Sequence, residues 1–118
     1  MDKCVLIIDD QIGIRILLEE IIKSEGHPVF SFESVEEALE SIDRKKPSLI
    51  ITDFWLPIMN GAELISRLEE QDIYIPTIVM SGLPEEAKEK TAHLQSVHKI
   101  LAKPFNVTQV KQLISEML

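Results

Sequence analysis

Cysteine, tryptophan and tyrosine each occur once in these 118 residues, and glycine only four times. The lone thiol, Cys4, can close no internal disulfide. Its place inside an apolar run, Cys4-Val5-Leu6-Ile7-Ile8, makes it a small buried hydrophobe of a reducing compartment. Basic residues are also scarce: 12 lysines and arginines stand against 20 aspartates and glutamates, a net charge of −8. Phosphate backbones require basic patches, so this balance argues against nucleic acid as a direct partner. No apolar run approaches the ~20 residues of a membrane span, and no basic segment followed by an apolar stretch marks a signal peptide. The expected location is the cytoplasm, with no membrane contact. Repeats, linkers and low-complexity segments are missing too. The length suits one domain, residues 1–118, burying roughly two-thirds of its chain surface.

What is present is an alternation of short apolar runs with amphipathic helical patterns. A helix begins near Ile12, with Ile14, Leu17, Leu18, Ile21 and Ile22 at helical spacing and Gly26 as its stop. Pro28 to Phe32 reads as a second strand whose leading proline suits a sheet edge. Ser34 with Glu37 makes a capping box, followed by Val35, Ala38, Leu39 and Ile42 as a buried stripe. Leu49 to Asp53 is a third strand, and Asn60-Gly61 opens a helix with Leu64, Ile65 and Leu68 inward. Pro76 to Ser81 is a fourth strand. The charged stretch Glu85 to His93 is the weakest helix, with Ala87 and Leu94 as anchors. Val97 to Ala102 is a fifth strand, and Asn106 caps a last helix with Val107, Val110, Leu113, Ile114 and Met117 inward. Continuous apolar strands alternating with helices predict an α/β fold: a doubly wound, five-stranded parallel sheet covered by helices on both faces. The flavodoxin-like strand order 2-1-3-4-5 suits five such units.

The chemistry sits where these strands end. Asp9 and Asp10 follow the first, Asp53 ends the third, Ser81-Gly82 the fourth, and Lys103-Pro104 follows the fifth. Singly, each has an ordinary explanation: a solvated acidic turn, a capping aspartate, a snorkelling lysine. Together they place three acids, a hydroxyl and a lysine at the carboxyl edge of the sheet, where doubly wound folds keep their working sites. Three crowded carboxylates call for a cation. A divalent metal with Lys103 would supply it, leaving one aspartate free to act as a nucleophile towards phosphorus.

These residues carry a family resemblance. Ile7-Ile8-Asp9-Asp10, Thr52-Asp53 with Leu56-Pro57 and Asn60-Gly61, Met80-Ser81-Gly82 and Ala102-Lys103-Pro104-Phe105 resemble the receiver domain of two-component response regulators, and the likeness covers the whole chain. It implies that Asp53 is the phosphoacceptor. It implies Mg²⁺, with Mn²⁺ able to substitute, held by Asp10, Asp53 and the main-chain carbonyl of Trp55, with Asp9 acting through water. Ser81 and Lys103 would each meet a phosphoryl oxygen, and the Lys103-Pro104 bond would be cis. The implied partners are a sensor histidine kinase and a histidine phosphotransferase or other downstream protein, met by a monomer. The chain would promote only its own phosphorylation and dephosphorylation rather than act as an enzyme on other molecules.

Asp9 to Leu18 further resembles the first loop and helix of stand-alone sporulation phosphorelay regulators. At ~100° per residue, Ile12 and Ile16 fall beside Arg15, Glu19 and Lys23, away from the inward Ile14, Leu18 and Ile21. Exposed isoleucines beside the active edge predict a docking face of Gln11, Ile12, Arg15, Ile16, Pro104 and Phe105. The chain departs from the family at Ile100, where receivers often carry an aromatic switch residue, and has serine at 81 where many have threonine. Two positions that flank the approach of a hydrolytic water in the family are here Trp55 and Leu83. An alternative reading is a receiver domain taken from a longer regulator with an output domain. A phosphatase of haloacid-dehalogenase type would want a second aspartate two positions after its nucleophile, and Trp55 stands there. A flavodoxin-like cofactor binder would want a phosphate-cradling loop where Asp9-Asp10 stand.

Overall fold

Strands and helices alternate strictly along the chain: β1 (Val5–Ile8), α1 (Ile12–Ser24), β2 (Val29–Phe32), α2 (Val35–Lys45), β3 (Leu49–Asp53), α3 (Gly61–Glu70), β4 (Thr77–Ser81), α4 (Pro84–Thr91), β5 (Val97–Ala102) and α5 (Val107–Met117). The computed structural model describes residues 3–118. All five strands are parallel, as the alternation predicts, and they lie in the expected flavodoxin-like order β2-β1-β3-β4-β5. The three inner strands are buried on both faces, whereas the edge strands β2 and β5 keep partly exposed positions. That contrast is the signature of a parallel sheet clothed by helices on both sides.

Successive strand side chains point to opposite faces. Val5 and Ile7 join Leu49, Ile51, Ile78 and Met80 on one face, covered by Leu18 and Ile22 of α1 and Val110 and Ile114 of α5. Leu6, Ile8 and Ile50 turn to the other, against Val35 and Ala38 of α2 and Leu64, Ile65 and Leu68 of α3. Phe54, Val79 and Ala87 form a smaller cluster under α4, with Ile100 packed on it. Among the described residues no helix is long and apolar enough to cross a membrane.

Local signals explain most of the boundaries. Asn60 and Asn106 each accept from the third helical amide while Glu63 and Gln109 reach back to the cap, two complete capping boxes. At Ser34 only half the box forms: Ser34 accepts from Glu37 N, but the Glu37 carboxylate takes the serine hydroxyl at 3.4 Å. Gly26, at φ +87°, sits just beyond the end of α1. Two residues expected inside lie outside. Leu17 sits at the margin of the α1 stripe and is 37% exposed. Val107, 42% exposed, starts α5 at the carboxyl edge, where the described chain lays no element over it.

Candidate functional site

Register decides the site. Ile8 pairs with Thr52, Asp53 with Met80, and Ser81 with Ala102, so β1, β3, β4 and β5 finish nearly level. The next residues out are Asp9-Asp10 and Lys103, and they meet over the sheet edge. Carboxylate oxygens of Asp9, Asp10 and Asp53 all lie within 4.8 Å of one another. The Lys103 ammonium lies 2.8 Å from Asp9 Oδ2 and 3.4 Å from Asp53 Oδ2. The Lys103-Pro104 bond is cis.

The three acids differ in setting. Asp9 is fully buried, with Oδ1 accepting from Gln11 N at 2.9 Å and Oδ2 from Lys103. Asp10 is exposed. Asp53 is nearly buried, and that burial raises its pKa above the usual carboxylate value; Lys103 pulls it down, while Asp9 and Asp10 push it up again. Burial works against the charged form of Lys103, but its bond to Asp9 and the attraction of Asp53 and Asp9 outweigh this and hold its pKa above that of an ordinary lysine. The donor set is all hard oxygen, with one exposed ligand that leaves room for retained waters, which fits Mg²⁺.

On the other flank, Ser81 is buried and its hydroxyl oxygen accepts from Leu83 N at 2.9 Å. Among the described residues its hydroxyl hydrogen donates to no acceptor. Lys103 N donates to Ser81 O at 2.8 Å and ties the ends of β4 and β5 together. The Trp55 ring packs edge-on against Phe54, with centroids 4.9 Å apart, and Lys90 of α4 stands 5.2 Å from its centre. Trp55 and Leu83 are both about half exposed at the rim.

Beside the acids, α1 presents Ile12 and Ile16, 65% and 51% exposed. Ile14, Leu17, Lys103, Pro104 and Phe105 line an adjoining groove of about 350 Å³. Leu17, expected in the core, belongs to this groove instead. Arg15 lies on the same face, but its Nη1 donates to the Asp9 carbonyl at 2.7 Å.

Two features escaped the sequence reading. A Cβ built on Gly61 would come 2.6 Å from Asp53 O, so that helix start must be glycine for the loop to close over the site. Asn-Gly announced the helix start but not this close approach, which depends on tertiary geometry. Ile58, 91% exposed, adopts φ +70°, with Met59 N bonding back to Pro57 O at 2.7 Å in a γ-turn. A β-branched residue gives no sequence hint of a positive φ.

Comparison with known proteins agrees with this geometry. A family model described as the response regulator receiver domain matches residues 5–115. The whole chain is 32% identical to Sporulation initiation phosphotransferase F of Bacillus subtilis, spanning 95% of that protein, and 32% identical to the chemotaxis protein CheY of Halobacterium salinarum, spanning 98% of it. It is also 28% identical to the alkaline phosphatase synthesis regulator PhoP of Bacillus subtilis, of which it spans 49%. Among solved structures, the chemotaxis response regulator CheY4 of Vibrio cholerae superposes over all of both chains with a TM-score of 0.89 and 25% identity.

Proposed function

From the premise that this chain belongs to the response regulator receiver family, we propose that it accepts a phosphoryl group on Asp53 from a phosphorylated histidine and passes it to a second histidine. The observation that carries this reading is the cluster itself: three carboxylates within 4.8 Å, with one ammonium spanning Asp9 and Asp53. The likeness to a protein named for phosphotransfer in sporulation supports the relay role.

In the transfer an Asp53 carboxylate oxygen attacks phosphorus in line, the P–N bond to the donor histidine breaks, and its electrons leave with the imidazole. Onward transfer reverses these bonds. The carboxylates of Asp9, Asp10 and Asp53, with the Trp55 carbonyl, would hold Mg²⁺, whose chemistry is to neutralise charge on the phosphoryl oxygens. Ser81 donates its hydroxyl hydrogen to one of those oxygens, and Lys103 pairs with another. Asp9 keeps Lys103 aimed across the site.

Ile12 and Ile16, with Gln11 beside them and the Pro104-Phe105 groove next to them, form the face on which a helical histidine domain docks. An apolar centre with a polar surround suits a transient contact. Incubation with acetyl phosphate and Mg²⁺, read by intact mass, tests the acceptor. A single phosphoryl adduct is expected, absent in Asp53→Asn and suppressed by excess EDTA. Equal labelling of Asp53→Asn would overturn the assignment.

A further inference from the structure

Arg15 lies on the α1 face given above to partner docking, yet its guanidinium is turned back onto the site. Nη1 donates to the Asp9 carbonyl at 2.7 Å, and the residue is only partly exposed. That oxygen belongs to the Asp9–Asp10 peptide, which is planar, so a bond to it fixes the whole unit, including the Asp10 nitrogen and Cα. Asp9 needs no such help. Its N donates to Phe32 O, and its carboxylate is held by Gln11 N and Lys103. Asp10 is different: among the described residues no hydrogen bond or ion pair restrains its carboxylate. Its aim towards Asp53 depends on the backbone of the turn, and Arg15 is the side chain that grips that backbone.

We infer that Arg15 is a positioning residue for the divalent-metal site, clamping the Asp9–Asp10 peptide so that the Asp10 carboxylate faces the point shared with Asp9 and Asp53. This rests on the receiver reading and makes Arg15 part of the metal site rather than a partner contact. The clamp and the charge of Arg15 act in opposite directions. As a cation near a cation site, Arg15 repels the metal, so its removal would tighten binding if charge were its only effect. Loss of the clamp weakens binding. The sign of the change therefore separates the two.

The test is a Mg²⁺ titration of the full chain, followed by amide NMR shifts and by emission of Trp55, the only tryptophan. Arg15→Ala is expected to weaken Mg²⁺ affinity about tenfold, the low end of what losing an outer partner does to a metal site. Its thermal midpoint should stay near that of the native chain, and its Gln11 amide should exchange faster in EDTA. Equal or tighter Mg²⁺ binding by Arg15→Ala overturns the inference alone. So does lost transfer from a phosphorylated histidine domain with Mg²⁺ affinity unchanged, which would return Arg15 to the docking face. Failure of the native chain itself to bind Mg²⁺ overturns the inference together with the metal reading. Should Arg15→Ala not fold, Arg15→Met, which keeps the length of the side chain but has no donor for the Asp9 carbonyl, is read by the same criteria.

Discussion

Lys103 is bonded more closely to Asp9 than to Asp53: its ammonium stands 2.8 Å from the first carboxylate and 3.4 Å from the second. Asp9 is the fully buried member of the pair and has no other cation on its carboxylate among the described residues. The lysine therefore acts twice. It compensates a buried charge in the folded protein, and it stands beside the atom expected to receive phosphate.

Removing that lysine leaves Asp9 buried and unpaired. Lys103→Met is expected to destabilise the fold by about 3 kcal/mol, the range for breaking one side of a buried ion pair. Urea unfolding of the two chains measures it. Adding Asp9→Asn to Lys103→Met should recover part of the loss, since the uncompensated charge is then gone. A double variant no more stable than Lys103→Met would contradict this account.

Asp53 has the opposite balance. Its pKa is raised in the fold, chiefly by burial. A raised pKa means that its stabilising contribution is complete below the ordinary carboxylate value of about 4 and is lost as pH rises through the folded value. At neutral pH the ionised carboxylate is therefore a cost. Asp53→Asn should melt at a higher temperature than the native chain at pH 7, with the gap narrowing as pH falls through the carboxylate range. Thermal unfolding at a series of pH values checks the sign. A gap that widens towards acid would exclude desolvation as the dominant effect.

Phosphate on Asp53 should be lost slowly. Hydrolysis needs a water placed in line behind the phosphorus, and the rim carries Trp55 and Leu83, with no amide or carboxylate at either position to orient one. The Trp55 ring packs edge-on against Phe54 with Lys90 of α4 near its face, and an open approach beside it is the competing outcome of the test. Decay of labelled protein is compared for the native chain and for Trp55→Asn combined with Leu83→Glu. The combined variant should decay several-fold faster, and equal rates would remove the claim.

The loop between β3 and α3 predicts opposite effects three residues apart. Gly61→Ala drives a methyl into Asp53 O, at 2.6 Å, and should cost about 2 kcal/mol as overpacking with little room to yield. Its labelling by acetyl phosphate should also fall, because the contact is with the acceptor's own backbone. Ile58→Gly relieves the positive φ of an exposed residue and should stabilise by about 1 kcal/mol. Denaturant midpoints measure both.

The strand order, the carboxyl-edge gathering of Asp9, Asp10, Asp53, Ser81 and Lys103, and the outward placement of Ile12 and Ile16 were all legible in the sequence. The edge gathering and the helix faces follow from apolar runs, turn residues and helical spacing, which are local, whereas the strand order was the known arrangement that suits five such units. Leu17 and Val107 were misplaced because a helical wheel shows which side is apolar, not where the covering sheet stops. The grip of Arg15 on Asp9, the contact of Gly61 with Asp53 and the γ-turn at Ile58 were invisible for a related reason. Each depends on how closely two backbone segments approach, and no residue-type pattern encodes that distance.

The bond between Asp9 and Lys103 joins residues 94 positions apart. Chains are made from the amino end, so every acid of the site is synthesised well before the cation that balances it. Until β5 docks beside β4, a growing chain carries three mutually repelling carboxylates with Lys103 not yet in place. Docking of β5 beside β4 is thus the step that both completes the sheet and brings Lys103 to the acids.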